Sequence, residues 1–519
     1  SGTYIVSTTE EYDFYGFLDV TRNLKLRNVG AGGAVFKFMD GETFNFRKYY
    51  DCGAYTYELG SYANPVTITR TGYPGAPNPP IFYLTATNEA QWGNAVLKLV
   101  NVSNITIDGI RLRLAPLQVA YGIYIDGVSN VTIQNCDIDM ASSTKPAAAC
   151  DSWGAITGIE ISNDHASNNV KLYNNTIANC EFGIQNYTSA AVPSVTGLEI
   201  GAFGKGNKIY NFKQYGIRLP AANTSPSVRI IGNEIYNATS TVCLTGIYAS
   251  CSGTSYVAYN KVYNLTLNGG SNIVTGIALN TGSSSDVFYC YNNMVYDIKA
   301  PSSTYTLWNT DNANEQGITT YTDGKYYLMY NTIVIKYNSV ANGNTAKAIH
   351  VGQPISSGLI FLKNNLIVTN NTPYSANTYN GCHFFRWGIN TAQLDANYNL
   401  LYAGDSTIVQ NIIGNLNLTN YQRFGLDYQP FMVNNRGGAE RYSKTEYTTP
   451  FISTTLGSMD VHLQPGVASA AINGGTPIAA PIAVTDDIDG NARSTTTPTI
   501  GADEPCTPNI IPADTNYCQ

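Results

Sequence analysis

The 519 residues carry 29 Lys+Arg and 36 Asp+Glu, a net charge of −7, and the charged share of 13% is about half that of an ordinary soluble domain. Without a cationic excess, a nucleic-acid binder driven by phosphate neutralisation is excluded, and no apolar run approaches the roughly 18 residues of a membrane span. Four His against 39 Tyr and 47 Gly give a surface that is polar but hardly charged, suited to β-structure facing water or sugars.

From its first residue, Ser1, the chain has no leader pattern and reads as a processed mature chain. The ten cysteines (52, 136, 150, 180, 243, 251, 290, 382, 506 and 518) contain no Cys-x-x-Cys, and the histidines lie alone, so a zinc site is disfavoured. An even count suits an oxidising compartment, with Cys243–Cys251 and Cys506–Cys518 as local pairs. Residues 1–100 are expected to hold an N-terminal cap and the first coils.

From about residue 101 to 402 a unit recurs: a short β-branched strand, an Asn, one residue, then an aliphatic. The Asn slot falls at Asn175, Asn207, Asn233, Asn260, Asn292, Asn331, Asn364 and Asn399, with Cys136 and Asp108 holding it upstream. A second motif, Gly-Ile, interleaves at Gly122, Gly158, Gly183, Gly216, Gly246, Gly276 and Gly317, with Ala348-Ile349 standing in at the end. Steps of 26–39 residues with strand composition and no helical period indicate a solenoid. Two short strands per unit without hairpin signals favour a right-handed parallel β-helix of about ten or more coils over a propeller. Aliphatics point inward, glycine permits a tight corner, and stacked Asn amides, each donor and acceptor, form a ladder.

Connections from the Asn slot to the next Gly vary in length, and those in the other direction hardly do. Two long loops, about 139–155 and 295–316, then wall a trough and carry Trp153 and Trp308. Tyr210, Tyr236 and Tyr263 recur in register as one outward column. The residue after Gly-Ile forms another, in which Glu160, Gln185, Arg218 and Tyr248 stand. Aromatic faces beside Arg, Glu and Gln suit a sugar chain, which makes these residues, with the two tryptophans, the glycan-binding candidates. Glu160, Lys213 and Arg218 are the catalytic candidates.

Residues 403–519 hold the last coils and a closing cap. Their motifs are Val461-His462-Leu463-Gln464-Pro465-Gly466, Asp487-Ile488-Asp489-Gly490-Asn491-Ala492-Arg493 and Ile500-Gly501-Ala502-Asp503-Glu504. With Gly2-Thr3-Tyr4-Ile5 and Tyr62-Ala63-Asn64-Pro65 at the start, the chain resembles secreted, pectin-lyase-like β-helix proteins of Bacteroidota. That resemblance implies an extracellular or bacterial cell-surface location. It also implies export by the type IX system and contact with secretion machinery, the usual sorting domain having been removed before Gln519. Asp487, Asp489 and Asn491 have the alternating oxygen spacing of a calcium loop, though Pro498 stands where the bidentate acid belongs; calcium is thus the one cofactor with a candidate site.

Pectin hydrolases of this fold carry Asn-Thr-Asp, Asp-Asp and Gly-His-Gly. Here Asn309-Thr310-Asp311 occurs alone, without Gly-His-Gly. The expected function is a non-catalytic adhesin, surface-structure or glycan-binding scaffold whose partners are extracellular polysaccharide or cell-surface proteins. The alternative is a polysaccharide lyase or glycoside hydrolase working in the trough.

Overall fold

A computed structural model of the chain forms three stacks of parallel strands. Outside the described residues lie 10–12, 16–19, 25–28, 48–60, 74–75, 87–94, 145–154, 188–194, 221–226, 269–272, 301–314, 321–322, 336–345, 352–357, 370–381, 387–393, 403–412, 416–441, 447–448 and 506–519, with residues 1, 22 and 163. Trp153, Trp308 and Asn309–Asp311 fall there. The chain divides into two compact units, Ser1–Glu234 and Ile235–Gln519.

In the first unit a coil starts on a Gly-Ile strand such as Tyr121–Asp126 and continues on a middle strand, Ser129–Gln134. It then turns the Asn corner onto a short third strand, Asp137–Asp139. Each strand pairs in parallel with its counterparts one coil away: Ile123 with Leu97 and Ile159, Val131 with Ile105 and Val170, Ile138 with Leu112 and Ile177. The aliphatic residues of these rungs are fully buried while Thr132 and Lys171 between them are half-exposed, the period-two alternation that β-branched strands impose. Parallel pairing already runs through Gly2–Ser7, Ala34–Phe38 and Ser61–Arg70, over a core of Phe38, Phe44 and Phe82 in edge-to-face contact. The second unit repeats the scheme, for example with Val274–Thr281, Val287–Tyr291 and Met294–Lys299.

The Asn corner is a buried ladder. In the first unit Asn175 donates through its backbone N–H (3.0 Å) and Nδ2 (2.9 Å) to Oδ1 of Asn207, and Asn207 does the same to Asn233. Cys136 fills the slot ahead of them and donates its N–H to Asn175 Oδ1. In the second unit the ladder runs Asn260, Asn293, Asn331, Asn365, Asn399. Asn292 and Asn364 therefore do not stand in it: the slot belongs to their neighbours Asn293 and Asn365. The reading slips by one because Met294 and Leu366 are apolar although they point outward, where the closing segment covers them; the inward aliphatics are Val295 and Ile367. Asn292 (φ 51°) and Asn364 (φ 57°) instead take the left-handed position just before the slot, which Asn tolerates. Asp108 is likewise displaced: Leu112 pairs with Ile138, which puts Ile110 in the slot, and Asp108 accepts a hydrogen bond from Asn135 Nδ2 outside it.

The Gly-Ile glycines have ordinary φ values, so turn strain is not their reason. A Cβ on Gly158 would lie 2.3 Å from Ile177 Cγ2 and 2.7 Å from the Gly183 carbonyl oxygen, and Gly183, Gly276 and Gly317 are equally closed in. Glycine is required because the coil passes hard against the third sheet's inward aliphatics.

In the second unit the closing segment packs over the outward side of the third sheet. Phe451, Met459, Val461, Leu463, Ala471, Ile488, Ile500 and Ala502 form one cluster with Met294, Tyr296, Val334, Leu366, Val368 and Leu400. Further along, Ile478 and Val484 cluster with Met329, Tyr330 and Phe361. The left-handed asparagines hold the chain between the two clusters. Asn364 donates to Thr476 O at 2.7 Å and accepts from Thr476 N–H at 3.0 Å, and Asn292 donates to Asp486 O. Arg493, buried, donates to Asn292 Oδ1 and to the carbonyls of Asp486, Thr499, Gly501 and Ala502, its guanidinium 4.1 Å from the Tyr330 ring centre.

Candidate functional site

On the Gly-Ile strands of the first unit, the position after Gly-Ile points outward and stacks in register. Lys98 pairs with Tyr124, Tyr124 with Glu160, Glu160 with Gln185 and Gln185 with Arg218. Rungs lie about 4.8 Å apart, so Glu160 is two rungs, roughly 10 Å, from a cation on either side. Lys98, Tyr124 and Arg218 are half-exposed; Glu160 (3% exposed) and Gln185 (4%) form a buried floor between them. Motif counting misses Lys98 because its coil reads Val96-Leu97 in place of Gly-Ile; the alternation of Ala95–Val100 would have revealed it.

Electrostatics follow from that burial. Loss of solvent pushes the Glu160 carboxyl up to about 8, against the lowering effects of the Thr157 hydrogen bond and the Arg218 charge, so it is protonated at neutral pH. Burial raises Tyr124 to about 12, helped by Asp126, Asp164 and Glu160. The Arg218 guanidinium lies over the rings of Phe182 (5.4 Å) and Tyr215 (5.3 Å), which fixes a long flexible side chain in place. The Lys98 ammonium is 5.5 Å from the Tyr124 ring centre. At the adjoining corner His165 Nδ1 meets Asp126 Oδ2 at 2.7 Å. The column thus presents two fixed cations around an aromatic ring and two uncharged hydrogen-bonding groups.

The other candidates separate from this column. Lys213 is exposed and sits in the turn ahead of Tyr215–Leu219. Tyr248 is outward on the Gly-Ile strand Leu244–Cys251 of the second unit, half-buried, and its hydroxyl accepts from Asn280 Nδ2 at 3.5 Å. Tyr210 lies on a third-sheet strand of the first unit, Lys208–Tyr210, and Tyr236 and Tyr263 lie on third-sheet strands of the second. Tyr236, Tyr263 and Tyr296 stack face to face, with centroids 5.2 and 4.9 Å apart and planes within 9° and 1°. Their faces are turned toward one another, and Tyr263 also packs against the cluster that Tyr296 forms with the closing segment. The trio is therefore not an open platform of ring faces, the arrangement that register alone suggests.

The calcium-like loop is closed by its own hydrogen bonds. Asp487 is fully buried; Oδ1 accepts the N–H groups of Asp489 (2.9 Å) and Asn491 (2.8 Å), while Oδ2 accepts Asn491 Nδ2 and the Glu504 N–H. Its lone pairs are taken, so the spacing reflects a turn and not a cation cage. Asp489 faces the other way, toward His462 Nε2 (3.0 Å) and Lys261 Nζ (3.4 Å). His462, Asp489 and Asp503 bring possible metal ligands within 4.8 Å of one another, but the Lys261 ammonium, also 3.4 Å from His462 Nε2, already supplies the positive charge there. Burial alone would lower His462, yet its bonds to Asp489 and Asp460 raise it to about 9. Burial alone would raise Asp489, yet His462 and Lys261 bring it down to about 2.

Among the cysteines, Cys136, Cys180 and Cys290 are free and buried. Cys243 is disulfide-bonded; the side chains of Cys251, Cys506 and Cys518 lie outside the described residues, so the two expected pairings stay expectations.

Comparison with protein families agrees on architecture. The family described as "Right handed beta helix region" matches residues 84–200. No curated protein matches the chain in sequence. Among solved structures, an alginate lyase from Paenibacillus sp. str. FPU-7 is 13% identical, with 68% of this chain and 96% of that chain covered and a TM-score of 0.33. The pectate lyase Pel9A is 11% identical over 97% and 96% at 0.37. The GH136 lacto-N-biosidase from Eubacterium ramulus is 11% identical over 67% of each at 0.33. The fold is a right-handed parallel β-helix.

Proposed function

We propose that this protein is an extracellular or cell-surface scaffold that binds an acidic polysaccharide along the Gly-Ile face of its first unit. One observation carries the reading: Lys98 and Arg218 stand at the ends of a single in-register column, with the Tyr124 ring and the uncharged Glu160 and Gln185 between them. A sugar carboxylate meets fixed cations, hydroxyls meet amide and carboxyl groups, and the rung spacing is close to half the repeat of an extended β-linked disaccharide. Low charge density over the whole chain and the disulfide at Cys243 support an extracellular setting. The described residues include no helix long and apolar enough to cross a membrane.

A glycan array tests the reading. Wild type should bind anionic chains, and Lys98→Ala with Arg218→Ala together should abolish the signal while the fold is retained; equal signals for both proteins would refute the site. A second reading, cleavage of the bound chain, is favoured by one fact: a carboxyl still protonated at neutral pH is what a general acid requires. Release of reducing ends or unsaturated products by wild type, lost in Glu160→Gln, would make the protein an enzyme.

A further inference from the structure

We propose that Glu160 is the proton switch of this site: with its carboxyl protonated the column holds an acidic polysaccharide, and with the carboxylate ionised it lets the chain go. The inference rests on the binding reading above and adds its regulation. The geometry is symmetrical about Glu160, which lies two rungs from Lys98 and two from Arg218 at the point where a chain spanning both cations must pass. Because it is buried, its charge is screened little by water or salt and acts on the passing ligand directly. Ionisation halves the column's net positive charge and sets a negative charge at its centre.

The surroundings say when this happens. From the preceding strand Tyr124 faces Glu160, with Lys98 beyond it and Asp126 at the corner. Its own strand offers Thr157 and Ser162, and the corner after it Asp164 and His165. From the following strand come Gln185 and, beyond it, Arg218; Glu181, just ahead of that strand, is engaged by the Ile156 N–H at 2.8 Å. Within this set the Thr157 hydrogen bond and the Arg218 charge, the latter from two rungs away, favour the carboxylate, and burial outweighs them. The carboxyl therefore titrates at about 8, within the range of an extracellular medium. His165 also titrates nearby, raised by its bond to Asp126, so the two must be separated.

The experiment measures affinity for alginate and for polygalacturonate between pH 6 and 9.5, as order-of-magnitude limits around that midpoint, with hydroxyethylcellulose as the neutral control. Wild type should weaken by about tenfold or more across this range; the affinity of Glu160→Gln, at whatever level it starts, should stay flat with pH, and His165→Gln should keep the wild-type release. If wild type and Glu160→Gln lose affinity in parallel, or wild type shows no release, the switch is overturned and the binding reading stands. If neither anionic probe binds at any pH, both readings fall. Should Glu160→Gln fail to fold, infrared spectroscopy of wild type decides: a protonated carboxyl band at pH 7 that disappears above about 8 supports the switch, and its absence at pH 7 overturns it.

Discussion

A single Asn in the ladder serves two coils at once. Asn331 Nδ2 donates to Cys290 O and to Asn365 Oδ1, and its own Oδ1 accepts from Asn293. Replacing it with leucine leaves buried partners unsatisfied on both sides, a loss of about 1–3 kcal/mol that a denaturant titration would read; unchanged stability would show that the corner reorganises. The free thiols give a second check. Burial pushes Cys136 and Cys180 up to about 12 and Cys290 higher still. In the folded protein these three should resist a thiol reagent and react only in denaturant, as counted by mass spectrometry. At this scale the sequence was readable where a residue's neighbours obey the local pattern, as at Asn175, Asn207 and Asn233. It misled at Asn292 and Asn364, because an outward Met294 or Leu366 looks inward until the segment covering it, some 200 residues later for Asn292 (|i−j| = 201 to Arg493), is known.

Between strands and turns, steric closeness sets the tolerances. Gly158→Ala forces a methyl into Ile177 and the Gly183 carbonyl, and overpacking of this kind costs about 1–3 kcal/mol; a thermal midpoint equal to wild type would contradict the contact. The Gly-Ile motif was legible as a motif, while its cause, coil against coil, needed coordinates. The tyrosine columns show the same limit. Register predicts that Tyr236 and Tyr263 stack, but ring planes within 9°, which decide whether a face is open, are set by χ angles that no pattern encodes. The hairpin Phe451–Ser453 with Asp460–Leu463 carries the pH prediction. His462 is raised from 6.5 to about 9, so its stabilising charge is fully present below about pH 6.5. It fades as the pH rises to about 9. Asp489, lowered to about 2, contributes above about pH 3.8 and loses this as the pH falls toward 2. The stability difference between wild type and His462→Gln should therefore shrink from pH 6.5 to 9; a constant difference would mean that the ring is uncharged throughout.

For the molecule as a whole, architecture came from repetition and the closing segment did not. Ten coils announce themselves by two interleaved motifs, whereas the packing of Phe451, Val461, Ile488 and Ile500 onto the third sheet leaves no periodic trace. The Lys98–Arg218 column lies between these cases: four of its five members follow a visible motif, and the fifth is recovered only by counting along a paired strand. Removing residues from Thr449 onward should uncover Met294, Tyr296, Leu366 and Leu400 together. Dye binding to exposed apolar surface and aggregation should rise sharply; a monodisperse truncated protein would show that the segment is dispensable.

Arg493 reaches back 201 residues to Asn292, and that span has a consequence for the order of events during synthesis. The strand that begins at Met294 leaves the ribosome with one bare oily flank, which stays bare until residues 451–502 have followed it out. Until then the second unit has no finished form to defend, and the bare flank is a surface that a chaperone would meet. The segment thus acts as a clock: the second unit hardens only once residues 451–502 have settled onto its third sheet.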